Sequence, residues 1–555
     1  MIYDRWLLAE VPQNPPPLPI ANPTLRSIFA RRGVSDEESY RRFVTPSMGD
    51  LHDPATIHGI DHACERILRA VREREAIAIY GDYDVDGVTS IVLLQTVIRS
   101  LGGEVGFVVP HRLVDGYGLK MEVLERVLTE RDVKLVITVD CGITSVEPVR
   151  RAIERGIDVI ITDHHLPPGT LPEAAAVLNP KQPGCAYPFK ELAGVGVAFK
   201  LCCELLRRSG KKTSTESLLK IAAIGTVADM APLTGENRTI VRIGLDGLAD
   251  ARNHGLRALL RRLGLLGRPL RAADVGFKIG PRINAAGRLA SADTAIELFA
   301  AASEEAAWTI CAELDRLNAQ RQEIEAGVRD AATRQIAGDE RVLLLAGEGW
   351  HRGVLGLAAG RIAQQWHRPT LVMAIDGERC VGSGRSIRTV NLHQQLDSVA
   401  DLFTHFGGHE FACGFSLPAD RLPMLRERLR ARFDELPPEL FDRSATMDGW
   451  VTLAEIDREF VAAHELLQPF GAANDQPLFG IRAARVTSKR HFAEECCELG
   501  IEDATGRGAA VVWPQVKQLV AAADGAPLDL LVRIEPDGWS PAGGRLVLAD
   551  LRAAE

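Results

Sequence analysis

The chain has 555 residues, length enough for about three domains that each bury a core of their own. Its make-up, 46% hydrophobic and 25% charged, is that of a soluble globular protein, and a net charge of −9 excludes a surface that coats nucleic acid indiscriminately. Ten cysteines without a CxxC pair exclude the usual zinc spacings and a disulfide framework, and no apolar run approaches 18 residues, so a cytoplasmic protein with reduced thiols and no membrane contact is expected.

Residues 1–45 mix prolines with a short helical pattern and read as an N-terminal arm packed on the domain next in the chain. The start carries Asp4 and Glu10 around a short apolar stretch, which is not a signal-peptide pattern. From 46 to 240 apolar strand candidates at 76–80, 104–109, 134–139, 157–161 and 175–178 alternate with helical stretches such as 88–101, 120–130 and 145–155. That alternation predicts a parallel, doubly wound sheet. A helical connector comes next, over 241–340. It holds six arginines (Arg252, Arg257, Arg261, Arg262, Arg268, Arg271) in an acid-free stretch, readable as a solvated face or a nucleic-acid groove, then a long breaker-poor helix from Ser303 to Ala337. A second α/β unit runs over 341–440, closed by the linker-like PPEL at 437–440. Short β runs at 480–486, 496–501, 529–534 and 544–549 make 446–555 a small barrel of the OB type.

Acids gather where the strands of the first sheet end. The strand AIAIY runs into Asp82, Asp84 and Asp86, and the twelfth position of a calcium loop begun at Asp82 is Leu93 rather than Glu, which removes the EF-hand reading. KLVITVD delivers Asp140, GIDVIITDHH delivers Asp163, His164 and His165, and the helical run LLKIAAIGTVADM carries Asp229. Taken singly, Asp163 reads equally as a helix cap and Asp229 as a helix end. Together, carboxylates and imidazoles reaching one sheet edge from four segments repel one another unless cations lie among them. The donor set suits a hard or borderline divalent ion, with histidine tilting the choice from Mg2+ toward Mn2+. So many acids suggest two ions, about 3.5–4 Å apart in such sites, with Asp140 the candidate bridge and phosphoester cleavage by activated water the chemistry.

These motifs resemble the DHH phosphoesterase superfamily and, within it, the bacterial exonucleases of single-stranded DNA. GDYDVDG at 81–87, VDCG at 139–142, DHH at 163–165 and GTVADM at 225–230 are similar to the family's metal-site motifs. GPRINAAGRL at 280–289, WHRGVLGLAAGRI at 350–362, SGRS at 383–386 and GGHEFACG at 407–414 are similar to those of its second lobe. The resemblance implies two α/β lobes, DHH and DHHA1-like, joined by the long helix, with the OB-like barrel as a DNA-binding domain. It implies Asp84, Asp86, Asp140, His164 and Asp229 as metal ligands, with Asp82 and His165 as catalytic companions. Smaller members have histidine where Tyr80 stands, which makes Asp82 a candidate replacement ligand.

For the substrate, Ser383, Arg385, Gly408 and His409 form a donor-rich turn suited to a phosphate. Arg282, Asn284 and Arg288 are candidates for phosphate or base contacts, Arg112 lies just before Tyr117, and Tyr117 is a candidate for base stacking. Trp350 and His351 open the second lobe, facing the cleft or the core. The expected activity is 5′-to-3′ exonuclease digestion of single-stranded DNA to mononucleotides in repair and recombination, dependent on Mn2+ or Mg2+. The expected partners are a single-stranded-DNA-binding protein and a helicase, and the expected state is a monomer. A small-substrate phosphodiesterase and a non-catalytic replication scaffold are the competing readings.

Overall fold

The computed structural model describes all residues except 1, 13, 14, 117, 129–131, 212, 213, 494, 523–525, 539, 541 and 555. The chain forms two compact bodies, one of His52–Ala231 with Ile243–Phe441, the other of the segment ending at Leu51 with Pro232–Arg242 and the region from Asp442 onward. β1 (Arg5–Leu8) opens the chain and belongs to the second of these.

In the first body, β2 (Ala76–Gly81), β3 (Val105–Val108), β4 (Val133–Val139), β5 (Asp158–Thr162) and β6 (Ala176–Leu178) form an all-parallel sheet ordered β3-β2-β4-β5-β6. Near-continuous apolar runs produce it because helices cover both faces. Register fixes the functional edge. Gly81 pairs with Val139, Val139 with Thr162, and Thr162 with Leu178, so the next residues, Asp82, Asp140, Asp163 and Asn179, leave the sheet in one row. The helix after β2 starts at Val85, three residues earlier than its apolar pattern predicts, because the Asp84 carboxylate caps the N–H groups of Asp86 and Gly87. Helices Gly194–Ser209 and Glu216–Ala228 pack against it.

The connector is dominated by the 30-residue helix Glu304–Thr333, about 45 Å long at 1.5 Å per residue. Its acids hold part of the arginine-rich stretch: Arg257 and Arg261 pair with Glu304, and Arg262 pairs with Asp315 and covers the Trp308 ring. In the second lobe β7 (Leu343–Glu348), β8 (Thr370–Asp376), β9 (Arg379–Arg385), β10 (His405–His409) and β11 (Ala412–Pro418) are ordered β10-β11-β9-β8-β7, with β7 and β8 its only parallel pair. Helix Leu355–Trp366 covers one face with an apolar cluster and helix Leu422–Asp434 the other.

In the second body, β12 (Ser444–Met447) and β13 (Gly449–Trp450) precede β14 (Phe479–Ala493), β15 (Cys496–Glu502), β16 (Arg507–Val512), β17 (Leu528–Pro536) and β18 (Gly544–Ala553). The last five close into a barrel, β14-β15-β16-β18-β17 and back to β14, as the spacing of β runs predicts for an OB fold. The arm departs from expectation: it joins the barrel and not the domain next to it in sequence. β1 pairs in parallel with β12, the buried Asp550 carboxylate accepts the N–H groups of Ile2 and Tyr3 and the Trp6 indole, and Leu25, Ile28 and Phe29 enter the barrel core. Residues 232–242 belong here as well. Arg238, over the Phe43 ring at 3.5 Å, donates to the carbonyls of Phe43, Leu466, Leu467 and Gln468, which removes 232–240 from the catalytic segment drawn from sequence. All ten cysteines are free thiols, and no described helix is long and apolar enough to cross a membrane.

Candidate metal centre

Five segments meet at the carboxyl edge of the first sheet. Ligand atoms of Asp82, Asp84 and Asp140 lie within 4.8 Å of one another, as do those of Asp86, His164 and Asp229, and those of Asp140, His164 and His165. His164 Nε2 is 3.1 Å from Asp140 Oδ1, 3.9 Å from Asp86 Oδ2 and 4.0 Å from Asp229 Oδ2. Asp140 therefore stands in both the acid triad and the histidine group. It sits at φ +58°, a left-handed conformation rare for a residue with a Cβ and of the kind found at functional sites.

Backbone donors orient these side chains. Asp86 accepts from Gly194 N and Val195 N, each at 2.7 Å, at the amino end of helix Gly194–Ser209. A Cβ on Gly194 would lie 2.9 Å from Asp140 Cβ and 3.0 Å from Asp86 Oδ2, so only glycine admits this close approach. Asp163 is neither helix cap nor part of these groups. Its fully buried carboxylate accepts from the N–H groups of Ile143, His164 and His165 and bonds His165 Nδ1 at 2.7 Å.

The charges oppose one another. Burial, then the Asp84 charge, pushes Asp86 up to about 7, and burial with neighbouring carboxylates raises Asp82, Asp140 and Asp229 well above the usual carboxylate range. Burial, reinforced by His165, takes His164 down to about 3, leaving a neutral imidazole of the kind that ligates metals. His165 moves the other way: burial is the largest single effect and lowers it, but the bond to Asp163 and the charges of Asp163, Asp86 and Asp82 together outweigh burial and raise it. Asp82 Oδ1 and His164 Nε2 are buried without a hydrogen bond. Unsatisfied acceptors amid crowded carboxylates are relieved by divalent cations, so the donor set fits metal.

Beside this edge lies a group of arginines. Arg112 covers the Tyr83 ring at 4.8 Å, and helix Gly280–Leu289 touches the same loop, since a Cβ on Gly287 would lie 2.4 Å from Tyr83 O. Arg288, on that helix, donates to Gly353 O of the second lobe at 3.1 Å. Burial, then Arg112, lowers Arg288 to about 9, and the same two causes lower Arg385. Arg385 donates to Ser383 Oγ at 3.0 Å. Gly408 and His409 sit in the β10–β11 hairpin, with His409 at the surface and its imidazole lowered by partial loss of hydration, then by His165 and Lys181.

Other candidates have different places. Arg282 is bound to Asp315 at 2.6 Å and donates to Lys278 O, which ties it to the connector helix. Asn284 is partly buried on helix Gly280–Leu289, and Tyr117 lies outside the described residues. Trp350 packs on the second-lobe core against Gly347, and His351 Nδ1 accepts from Gly353 N.

Three family profiles match: the DHH family, N-terminal domain, over residues 76–226, the DHHA1 domain over 339–435 and the RecJ OB domain over 447–542. The single-stranded-DNA-specific exonuclease RecJ of Dickeya dadantii is 37% identical over 519 residues, covering 87% of each chain. That of Bacillus subtilis is 39% identical over 472 residues, 82% of this chain and 58% of the relative, so this chain matches under two thirds of that longer protein. A crystal structure of RecJ from Thermus thermophilus in complex with Mn2+ superposes with a TM-score of 0.84 at 28% identity, over 99% of this chain and 80% of that one.

Proposed function

The chain belongs to the RecJ family of DHH proteins, and from that premise we infer that it is a metal-dependent exonuclease of single-stranded DNA, acting from the 5′ end and releasing mononucleotides. The observation that carries this reading is the convergence of two triads of ligand atoms on one sheet edge, with Asp140 and His164 3.1 Å apart between them. In our reading Asp84, Asp86, Asp140, His164 and Asp229 hold two divalent ions, Mn2+ or Mg2+, with Asp82 beside them. Bound ions of this class acidify an attacking water and stabilise charge on the phosphodiester oxygens. The chain supplies geometry. Asp163 fixes His165 through Nδ1, so His165 acts toward the phosphate through Nε2, and Gly194 and Val195 aim Asp86.

Arg112, Arg288, Ser383 and Arg385 form our candidate grip on the terminal 5′ phosphate. Burial, then Arg112, depresses the pKa of both Arg288 and Arg385, and guanidinium groups crowded in this way gain from a shared anion. End-labelled oligonucleotides test the reading: single strands with a 5′ phosphate are expected to lose the 5′ label as mononucleotide, with EDTA stopping and Mn2+ restoring cleavage. Preference for duplex, release from the 3′ end, or equal rates on a strand blocked at its 5′ end would refute it. A dinucleotide cut as fast as a long oligomer would favour the small-substrate phosphodiesterase instead, and Mn2+ binding without hydrolysis the scaffold. Work as a monomer in the cytoplasm beside a helicase and a single-stranded-DNA-binding protein, with the barrel as a further DNA contact, belongs to the same proposal.

The electrostatics set two further outcomes. Because Asp86 holds its proton up to about 7, Mn2+ must displace that proton, so affinity measured calorimetrically is expected to fall as pH drops through neutrality. The fall is about tenfold per pH unit where one proton leaves per ion bound. Asp163→Asn removes the charge that raises His165 and replaces one of the two oxygens that share three N–H groups with an NH2, and steady-state kinetics are expected to show kcat down about 10–100-fold with DNA affinity kept.

A further inference from the structure

Register places four residues in one row beyond the sheet, and three of them are the acids Asp82, Asp140 and Asp163. The fourth is Asn179, at the end of edge strand β6 and fully buried. Its Nδ2 donates to His165 O at 2.9 Å, and its Oδ1 accepts from Lys181 N at 2.8 Å. One residue earlier, Leu178 O accepts from Asp163 N at 3.0 Å, so β6 continues its ladder into the two-histidine loop.

That loop is therefore held from two directions. Asp163 gathers the N–H groups of His164 and His165, while Asn179 takes the carbonyl on the other side of His165. His164 reaches the acids only if its backbone lies where both restraints put it, and Nε2 stands 3.1 Å from Asp140 Oδ1. We propose that Asn179 is a positioning residue whose amide, by holding the His165 carbonyl, sets the aim of His164 and with it the affinity of the centre for divalent metal. The inference rests on the metal reading above. Groups that orient ligands typically contribute 10–100-fold in metal affinity, and a buried carbonyl deprived of its donor pulls its loop toward solvent or another partner.

The same turn contains an internal control. Gln182, 5% exposed, donates to Val177 O at 2.7 Å and to His58 O at 3.4 Å and makes no bond to the histidine loop. The experiment is calorimetric titration of the metal-free full chain with MnCl2, alongside thermal unfolding, for wild type, Asn179→Ala, Asn179→Asp and Gln182→Ala. Asn179→Asp keeps size and the acceptor for Lys181 N but loses the donor to His165 O, so it serves if the alanine variant does not fold. The expected result is a roughly 10–100-fold weaker Mn2+ site in both Asn179 variants, with Gln182→Ala within about twofold of wild type whatever its melting temperature. Wild-type affinity in Asn179→Asp, or an equal loss in Gln182→Ala, would overturn the proposal. A wild-type chain that binds no Mn2+ would instead sink the metal reading on which it stands.

Discussion

Asp140→Ala is expected to lower single-stranded-DNA cleavage by at least about 10³-fold while leaving DNA affinity within a few-fold, as gel-based digestion and anisotropy titration would show side by side. The split arises from where the residue stands. Asp140 belongs to the acid triad and lies 3.1 Å from His164, so its loss is expected to weaken both proposed ion sites, whereas the arginines near Tyr83 are untouched. The metal-free variant is expected to melt no lower than wild type. Burial and the charges of Asp86, Asp84 and Asp82 all act against an ionised Asp140, so removing it relieves repulsion that metal otherwise offsets. A variant that cleaves at the wild-type rate would exclude Asp140 as a shared ligand, and one that loses activity only because it unfolds would miss the second half of the expectation.

Gly194→Ala is the second large effect, and it comes from a residue with no chemistry of its own. The added Cβ would stand 2.9 Å from both Asp140 Cβ and Asp140 Oδ1 and 3.0 Å from Asp86 Oδ2, closer than Cβ contacts occur, so one of the two carboxylates must move. A displacement near 1 Å at a reacting centre typically costs about 10²-fold in rate. Overpacking in a buried site adds about 1–3 kcal/mol of destabilisation. Kinetics at saturating Mn2+ with a melting curve on the same sample separate the two. Retention of full activity would show that the helix Gly194–Ser209 can retreat from the acids without consequence.

The parallel sheet and the barrel were legible because their signals are local: apolar runs such as VITV and turn residues between short β segments announce strands without knowledge of partners. Asp82, Asp140 and Asp163 were legible for the same reason, since each directly follows its strand. Gly194 and Asn179 were not. Gly194 comes after an ordinary ELA, and only the arrival of its backbone at Asp86, more than a hundred residues away in sequence, gives it a role. Asp163 was underrated because a carboxylate between a strand and two histidines looks like a ligand or a cap, and its acceptance of three backbone N–H groups depends on the folded loop. The bond of Arg282 to Asp315 was not legible either, because that acid lies 33 residues on in the connector helix. The arm's docking on the barrel likewise joins opposite ends of the chain through Asp550.

One measurement bears on the whole account: anomalous diffraction at the manganese edge from a crystal of this chain soaked in MnCl2. Two peaks about 3.5–4 Å apart at the carboxyl edge of the first sheet, with Asp140 reaching both and His164 on one, are predicted. Peaks elsewhere, or none with these side chains in their present places, would contradict it.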